Sequence, residues 1–339
     1  MSKNIKRFIA NIFVGVFCIL SVFFASSCVT KTDIQVYAPD GAPALALAKL
    51  LQEDSKDDGV SFTIVSASTI HSYVTGEMPQ ADVCILPLNL ASKLLGNGQT
   101  YSFCSVVTHG NLYMLSMQET LYTAQNLSFL IGKTVGVVQL ANVPGLTFKI
   151  ILNKLGLPWS PLQNDDPPKS DVINLKAITP DMVSPATKGV DVFVAPEPAA
   201  SVKVEKTPLK FVGNLQALYD SENGYPQAVL VVKKSLIEGN RVWVESFLND
   251  VKENALWLQT QTNESEISAL CQAVQSHLTQ GLTPSFTKEN LSQSSIKNSG
   301  IRFQDALLYK GQISAFIQQM LQVQDGSAAY LQDEFYYGN

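Results

Sequence analysis

Histidine is scarce in this chain. Only His71, His109 and His277 occur in 339 residues, and there are 5 cysteines. So few imidazoles and thiols form no cluster with metal-ligand spacing and no C-x-x-C pair, so neither a zinc site nor a dithiol redox centre is expected. The G-x-S-x-G and H-E-x-x-H motifs are missing as well. The glycines do not fall at the spacing of a P-loop or a dinucleotide fingerprint. Acidic residues are scattered, and none pairs as an acid/base dyad. No catalytic residue, metal or cofactor is therefore expected. One nucleophilic alternative stays open, Cys84 or Cys104 with His109; His277 is expected to be solvated. Charge is also sparse, 16% of residues, with 24 basic against 29 acidic. Lys and Arg do not cluster as a nucleic-acid partner requires, so none is expected.

Only one long apolar run exists, from Phe8 to Ala25. Lys3, Lys6 and Arg7 precede it, and the small residues Ala25, Ser26 and Ser27 end it. A basic head, an apolar core and small residues before a cleavage point describe a secretory signal. Cys28 follows at once, as in a bacterial lipoprotein signal, where the cut falls before a lipid-carrying cysteine. Residues 1–27 are therefore expected to leave, and lipid on Cys28 to tether the chain to a membrane. Ala25 stands where leucine is usual. The alternative is an uncleaved anchor, since about 18 apolar residues can just span a bilayer. Both readings put the rest of the chain outside the cytoplasm. Losing Lys3, Lys6 and Arg7 from the 24 basic residues leaves 21 against 29 acidic, a net charge of −8. The remaining chain of about 310 residues suggests two domains. With 46% hydrophobic residues it can bury a sizeable core. Cys84, Cys104 and Cys271 remain, and the first two sit in apolar, strand-like runs. They are expected as buried small apolar residues; a Cys84–Cys104 disulfide is the alternative in an oxidising compartment. Asn126, Asn263 and Asn290 open N-x-S/T triplets, for which a bacterial lipoprotein leaves no use.

What the chain does have is alternation. The spacing predicts strands over 32–38, 60–65, 81–86, 103–107 and 112–116, with helices over 42–52 and 88–95 and a short helix or turn at 71–75. The pattern restarts with strands over 133–138, 172–175, 190–194 and 209–212. Helices are expected over 146–155, 179–184 and 199–203, with a loop over 160–170. Gly156 and Pro158 stop the helix that begins near Leu146. A strand over 227–232 follows, and from there the chain reads as helical, over 244–258, 267–278 and 312–322. Strand and helix alternating twice over predict an α/β chain with two parallel-sheet lobes.

Polar or glycine-bearing loops close several of these strands: Asp40 and Gly41, Ser66 and Ser68, Leu88 and Asn89, Asn142 to Gly145, and Glu197. Open parallel sheets bind ligands outside the carboxyl ends of their strands. Helices starting there also offer free N–H groups to an electron-rich ligand. Asp40 has two readings, a cap for the helix over 42–52 or a ligand contact.

The run Gly132-Lys133-Thr134-Val135-Gly136-Val137, then Pro144-Gly145 and the helix to Gly156-Leu157, resembles the solute-binding proteins of nitrate, sulfonate and taurine importers and the related thiamine-pyrimidine-precursor binders. Asp191-Val192-Phe193-Val194 with Glu197-Pro198 resembles a turn of the same group. Ala81-Asp82-Val83 before Pro87-Leu88-Asn89 and the return strand at Tyr225-Pro226 do so too. The resemblance covers about residues 34–260 well and the C-terminal helices loosely.

It implies a two-lobed type II periplasmic-binding-protein fold, with a parallel or mixed sheet in each lobe and a helical C-terminal region. Lobe one would be 31–108 plus 227–339, and lobe two 109–226, hinged near Thr108-His109-Gly110 and Tyr225-Pro226. The function implied is capture of a small organic nutrient between the lobes and delivery to the permease and ATPase of an ABC importer, by a monomer. Ligand contacts would come from Asp40, Gly41, Ser66, Ser68, Leu88, Asn89, His109, Asn142, Gly145, Thr147, Glu197 and Tyr225. Candidate stacking aromatics are Tyr37, Tyr73, Tyr113 and Tyr225. With no basic residue in these loops, a small heterocycle or other organic molecule is expected over a free dianion. Glu197→Ala is expected to weaken ligand binding and to spare the fold. Two alternatives remain, a ligand-sensing or adhesion lipoprotein reusing the fold and a cofactor-biosynthesis enzyme of the same fold.

Overall fold

Short apolar strands, each followed by a helix that covers it, build most of this molecule. The computed structural model describes residues 33–338, apart from 54–58, 99, 164–165, 220–223 and 261–262. The signal segment 1–27 and Cys28 lie outside the described residues.

The chain enters through β1 (Ile34–Pro39), α1 (Ala42–Leu45), α2 (Ala48–Glu53) and β2 (Val60–Val65). Then come β3 (Val83–Pro87), α3 (Leu88–Gly96) and β4 (Tyr101–His109). The second unit holds β5 (Leu112–Ser116), β6 (Thr134–Val138), α4 (Val143–Lys154), β7 (Trp159–Pro161), β8 (Ile173–Ile178), β9 (Val192–Pro196), α5 (Ala199–Lys206), β10 (Lys210–Asn214) and α6 (Leu215–Tyr219). The chain returns through β11 (Pro226–Lys233), α7 (Lys234–Gly239), α8 (Arg241–Thr260), α9 (Glu264–Ser276), α10 (Gln293–Asn298), β12 (Ile301–Asp305) and α11 (Lys310–Val323).

These strands make two six-stranded sheets. Lobe one has the order β12-β4-β11-β3-β1-β2 and lobe two β10-β5-β9-β6-β8-β7. β1, β2 and β3 run parallel, and β11 runs antiparallel to both β3 and β4. In lobe two β6, β7, β8 and β9 run parallel; β5 lies antiparallel beside β9, and β10 antiparallel beside β5 at the edge. Both sheets are therefore mixed. Central strands are buried on both faces, as continuous apolar runs such as Val83–Leu86 and Val135–Val138 require.

One apolar cluster lines a face of each sheet and joins Leu86 and Val106 of lobe one to Val135 and Leu146 of lobe two. A second packs Val36, Ile64 and Leu230 against Val244 and Val251 of α8 and Leu270 of α9.

The helix expected over 42–52 is broken into α1 and α2. The cause lies 209 residues away. Asn254 of α8, fully buried, donates through Nδ2 to the Leu45 carbonyl and accepts from the Lys49 N–H on Oδ1. Those two groups would bond each other in a continuous helix, so a side chain has inserted into the ladder. Each replacement bond contributes about 1 kcal/mol net, so the break is stable once α8 is packed.

Three other expectations change. The region after 233 is not wholly helical, because β12 returns to the edge of β4. Gly300 makes that return possible: its φ is +64°, and a Cβ there would lie 1.8 Å from the His109 carbonyl oxygen. Trp159–Pro161, which overlaps the start of the expected loop, adds a short edge strand beside β8. His277 is half-buried rather than solvated, with Nδ1 2.7 Å from the Ala273 carbonyl and its ring edge on Phe62. Cys84, Cys104 and Cys271 are free and buried. The asparagines of the three triplets serve local turns: Asn263 caps α9, Asn126 accepts from the Thr123 N–H, and Asn290 from the Thr287 N–H.

Candidate functional site

The helix starts that follow β3 and β6 meet across a seam between the two sheets. β1 delivers Asp40 and Gly41, β2 delivers Ser66, and β3 runs straight into α3 with Leu88 and Asn89. From lobe two, β6 leads to Asn142 and α4, and β9 to Glu197 and α5.

Two crossovers tie the lobes together. The Gly110 N–H donates to the Tyr225 carbonyl at 3.0 Å. Gln227 accepts from the Asn111 N–H and returns a bond from Nε2 to Asn111 Oδ1 at 2.6 Å. Asn111 Nδ2 in turn donates to the Glu197 carbonyl. Gln216 accepts from the Leu112 N–H and from the Tyr225 hydroxyl. These three amide side chains were missed in the sequence. Each saturates a backbone group that the crossover strips of ladder partners, which an amide does well because it both donates and accepts.

The starts of α3 and α4 touch. Asn89 Nδ2 donates to Asn142 Oδ1 at 3.3 Å and to the Ser327 carbonyl at 3.4 Å. A carbonyl can only accept, so the Ser327 contact fixes which end of the Asn89 amide points there. Asn89 is 1% exposed, and its Oδ1 has no hydrogen-bond partner among the described residues. Asn142 stands at the N-cap of α4 but sends no side-chain bond to that helix. Gly145 permits the tight entry to α4: a Cβ there would lie 2.0 Å from the Leu140 carbonyl oxygen. Thr147, one turn on, is fully buried beside the Tyr225 hydroxyl.

The two carboxylates are held differently. Asp40 does not cap α1: Oδ1 accepts from the Gly41 N–H, and Oδ2 accepts from Ser285 N–H and Oγ, both at 2.6 Å. Burial raises its pKa against those bonds. Glu197 accepts from the Ser201 N–H at 2.9 Å and from Ser201 Oγ at 2.7 Å. It thereby serves the first turn of α5. Burial pushes its pKa up, while Ser201 and Asn298 pull it down. Because Glu197 supports α5 in this way, Glu197→Ala removes a structural bond as well as any ligand contact.

Other expected site residues sit behind the seam. Leu88 is fully buried in the apolar cluster that the lobes share. Tyr225 is 1% exposed and stacks on Phe316. His109 is 3% exposed, and its ring meets Tyr309 edge-on. Burial, helped by Arg302, lowers its pKa to about 3, so it stays neutral and brings no positive charge to the seam. Ser66 and Ser68 bond each other at 2.9 Å in an exposed turn. Tyr37 stacks on Tyr73 at 4.4 Å, and Tyr113 meets Phe211 edge-on. The structure thus brings Asn89 and Asn142 into contact, holds Asp40 on Ser285 of its own lobe and Glu197 on Ser201 and, across the seam, Asn298, and packs Leu88, His109, Thr147 and Tyr225 into the interior.

No protein-family model matches the chain, and no curated protein matches it by sequence. Solved structures do. An ABC transporter protein from Parabacteroides distasonis aligns with a TM-score of 0.66 at 18% identity, over 90% of this chain and 98% of the other. The periplasmic nitrate-binding protein of Synechocystis aligns at 0.61 and 12% identity, over 90% of this chain and 84% of the other. The periplasmic aliphatic sulphonate-binding protein of Escherichia coli aligns at 0.57 and 13% identity, over 88% and 92%. Taken with two six-stranded mixed sheets joined by two crossovers, these likenesses establish that the chain has the two-lobed type II periplasmic-binding-protein fold.

Proposed function

We propose that this chain is an extracytoplasmic solute-binding protein, anchored through lipid on Cys28, that captures a small organic molecule in the seam and presents it to the permease and ATPase of an ABC importer. The observation that carries this reading is the meeting of α3 and α4 across the seam through Asn89 and Asn142. In a fold of this kind, the seam is where strand ends of both lobes converge. Solved structures that share the fold include the ligand-binding component of an ABC-type import system from Staphylococcus aureus and the periplasmic sulphonate- and nitrate-binding proteins named above.

The ligand we favour is an uncharged or amine-bearing organic molecule. The seam loops carry Asp40 and Glu197 but no Lys or Arg. His109 is neutral and cannot stand in for them. An anion would find only helix N–H groups, which are worth about 0.3–1 kcal/mol each when partly exposed. Binding without catalysis is part of this reading. Asp40 already accepts from Ser285 and Gly41, and Glu197 from Ser201 and Asn298, which leaves neither poised as a general base. Lobe one, 31–108 with 227–339, and lobe two, 109–226, would separate and close about the crossovers at Gly110 and Tyr225.

Native mass spectrometry of the purified protein, followed by denaturation, tests the reading by releasing any bound molecule. A thermal-shift panel of amines, neutral heterocycles, sulfonates and nitrate goes with it. A released organic mass, or stabilisation by an amine or neutral heterocycle, is expected. No released mass together with no shift across the panel would sink the binding role. Stabilisation by sulfonate or nitrate alone would keep binding and overturn the ligand class.

A further inference from the structure

The C-terminal segment is held by both lobes. Its helix, α11, presents Ile313, Phe316, Ile317 and Met320 along one buried stripe, at the spacing of a helix with a single apolar face. Phe316 stacks on Tyr225 at the crossover and meets Tyr219 of α6 edge-on. Two polar bonds then reach into lobe two. The Tyr219 hydroxyl donates to Gln319 Oε1 at 2.7 Å, and Lys149 Nζ of α4 donates to Gln324 Oε1 at 2.7 Å. Lys149 is 4% exposed and stands at the carboxyl end of α11, where a cation is favoured.

Past α11 the same segment turns back to lobe one. The Ser327 carbonyl accepts from Asn89, and the Ala329 N–H donates to Ser92 Oγ, both residues of α3. Tyr336 stacks on Phe103 of β4, and the Tyr337 N–H donates to the Phe103 carbonyl. One short segment therefore grips α4 and α6 on one side and α3 and β4 on the other.

We propose that residues 310–337 form an intramolecular latch that holds the two lobes closed without ligand, with Gln319 and Gln324 as its release points. The seam opens when these two glutamines let go of Tyr219 and Lys149 and the direct Asn89–Asn142 contact parts with them, while the return contacts at Ser92 and Phe103 keep the segment on lobe one. The latch rests on the two-lobed fold and needs no particular ligand.

Hydrogen–deuterium exchange of the full chain in detergent, without added ligand, tests the latch. The variant is Gln319→Ala with Gln324→Ala; both side chains are half-buried, and neither belongs to the apolar stripe. Gln322→Ala, on the exposed side of α11, is the control. The double variant should raise exchange by about tenfold or more in peptides covering 139–150 and 197–205, the factor that about 1.4 kcal/mol of lost closure gives. Exchange in β4 and β11 should stay at the level of the control. A smaller rise in the seam peptides, or an equal rise across both sheets, would overturn the latch, the second because it would make α11 merely a core helix. Because no ligand is present, failure here leaves the binding role standing, and failure of the ligand panel leaves the latch standing.

Discussion

The two sides of the seam are built on opposite plans. On the α3–α4 side, polar side chains cross from lobe to lobe: Asn89 to Asn142, Lys149 to Gln324, and Tyr219 to Gln319. On the α5 side, Asp40 and Glu197 bond to serines of their own lobes, Ser285 and Ser201, and Glu197 also reaches across to Asn298. A cavity of about 320 Å3 lies on that side between α5 and residues 289–292. Cross-lobe bonds resist separation, whereas bonds within a lobe survive it. Three cross-lobe side-chain bonds on the α3–α4 side against the Glu197–Asn298 bond on the α5 side make the α3–α4 side the more heavily stitched edge.

The largest test of this contrast is Gly145→Ala. Its Cβ has only the Leu140 backbone to meet, so the turn bearing Asn142 must shift, at a cost of about 3 kcal/mol. Urea unfolding should show that loss; a cost under about 1 kcal/mol would mean that the α4 entry yields easily.

Acid should separate the two edges by sign. His109 has a native pKa of about 3 against about 6.5 in the unfolded chain. Its contribution is full above pH 6.5 and falls as pH drops towards 3, because the unfolded chain takes up a proton that the native one does not. The slope approaches about 1.4 kcal/mol per pH unit. Asp40 and Glu197, with native pKa values raised, act in reverse: stability from them grows as pH falls through their native values. Urea midpoints at pH 7.5 and 5 should therefore differ less in His109→Leu than in the parent. Equal falls in the two would remove His109 as the source.

Asn89→Ala loses two bonds and leaves the Ser327 carbonyl without its amide donor, a cost of about 2 kcal/mol. The loss should appear together with faster exchange at Asn142 to Leu146. An unchanged exchange rate there would break the claim that this edge is stitched. Ser285→Ala, on the other edge, keeps the backbone bond to Asp40 and should cost about 1 kcal/mol. It should leave exchange across the seam as it was, and a rise there would erase the contrast between the edges.

Much of the scaffold was legible along the chain. Alternating apolar residues marked Ile34–Pro39 and Val60–Val65, and Gly156 with Pro158 marked the end of α4. The strand-end loops that flank the seam were also visible, because Pro, Gly, Ser and Asn punctuate them. The partners of those loops were not. Nothing near Asp40 points to Ser285, 245 residues on, and nothing near Leu45 points to Asn254. His109 looked like a loop histidine, yet it is interior because β12 and α11 close over it.

By itself, then, the sequence determined the α/β class, the doubled strand–helix pattern and the positions of the strand-end loops. Periodicity and turn chemistry act between residues a few places apart and can be read in one dimension. Only the tertiary structure decided that Asn89 meets Asn142 and Ser327, that Glu197 supports α5, and that the C-terminal segment spans both lobes. Amides and carboxylates carry no periodic signature. Their partners are chosen by whichever unsatisfied backbone or side-chain group the packed fold brings within about 3 Å.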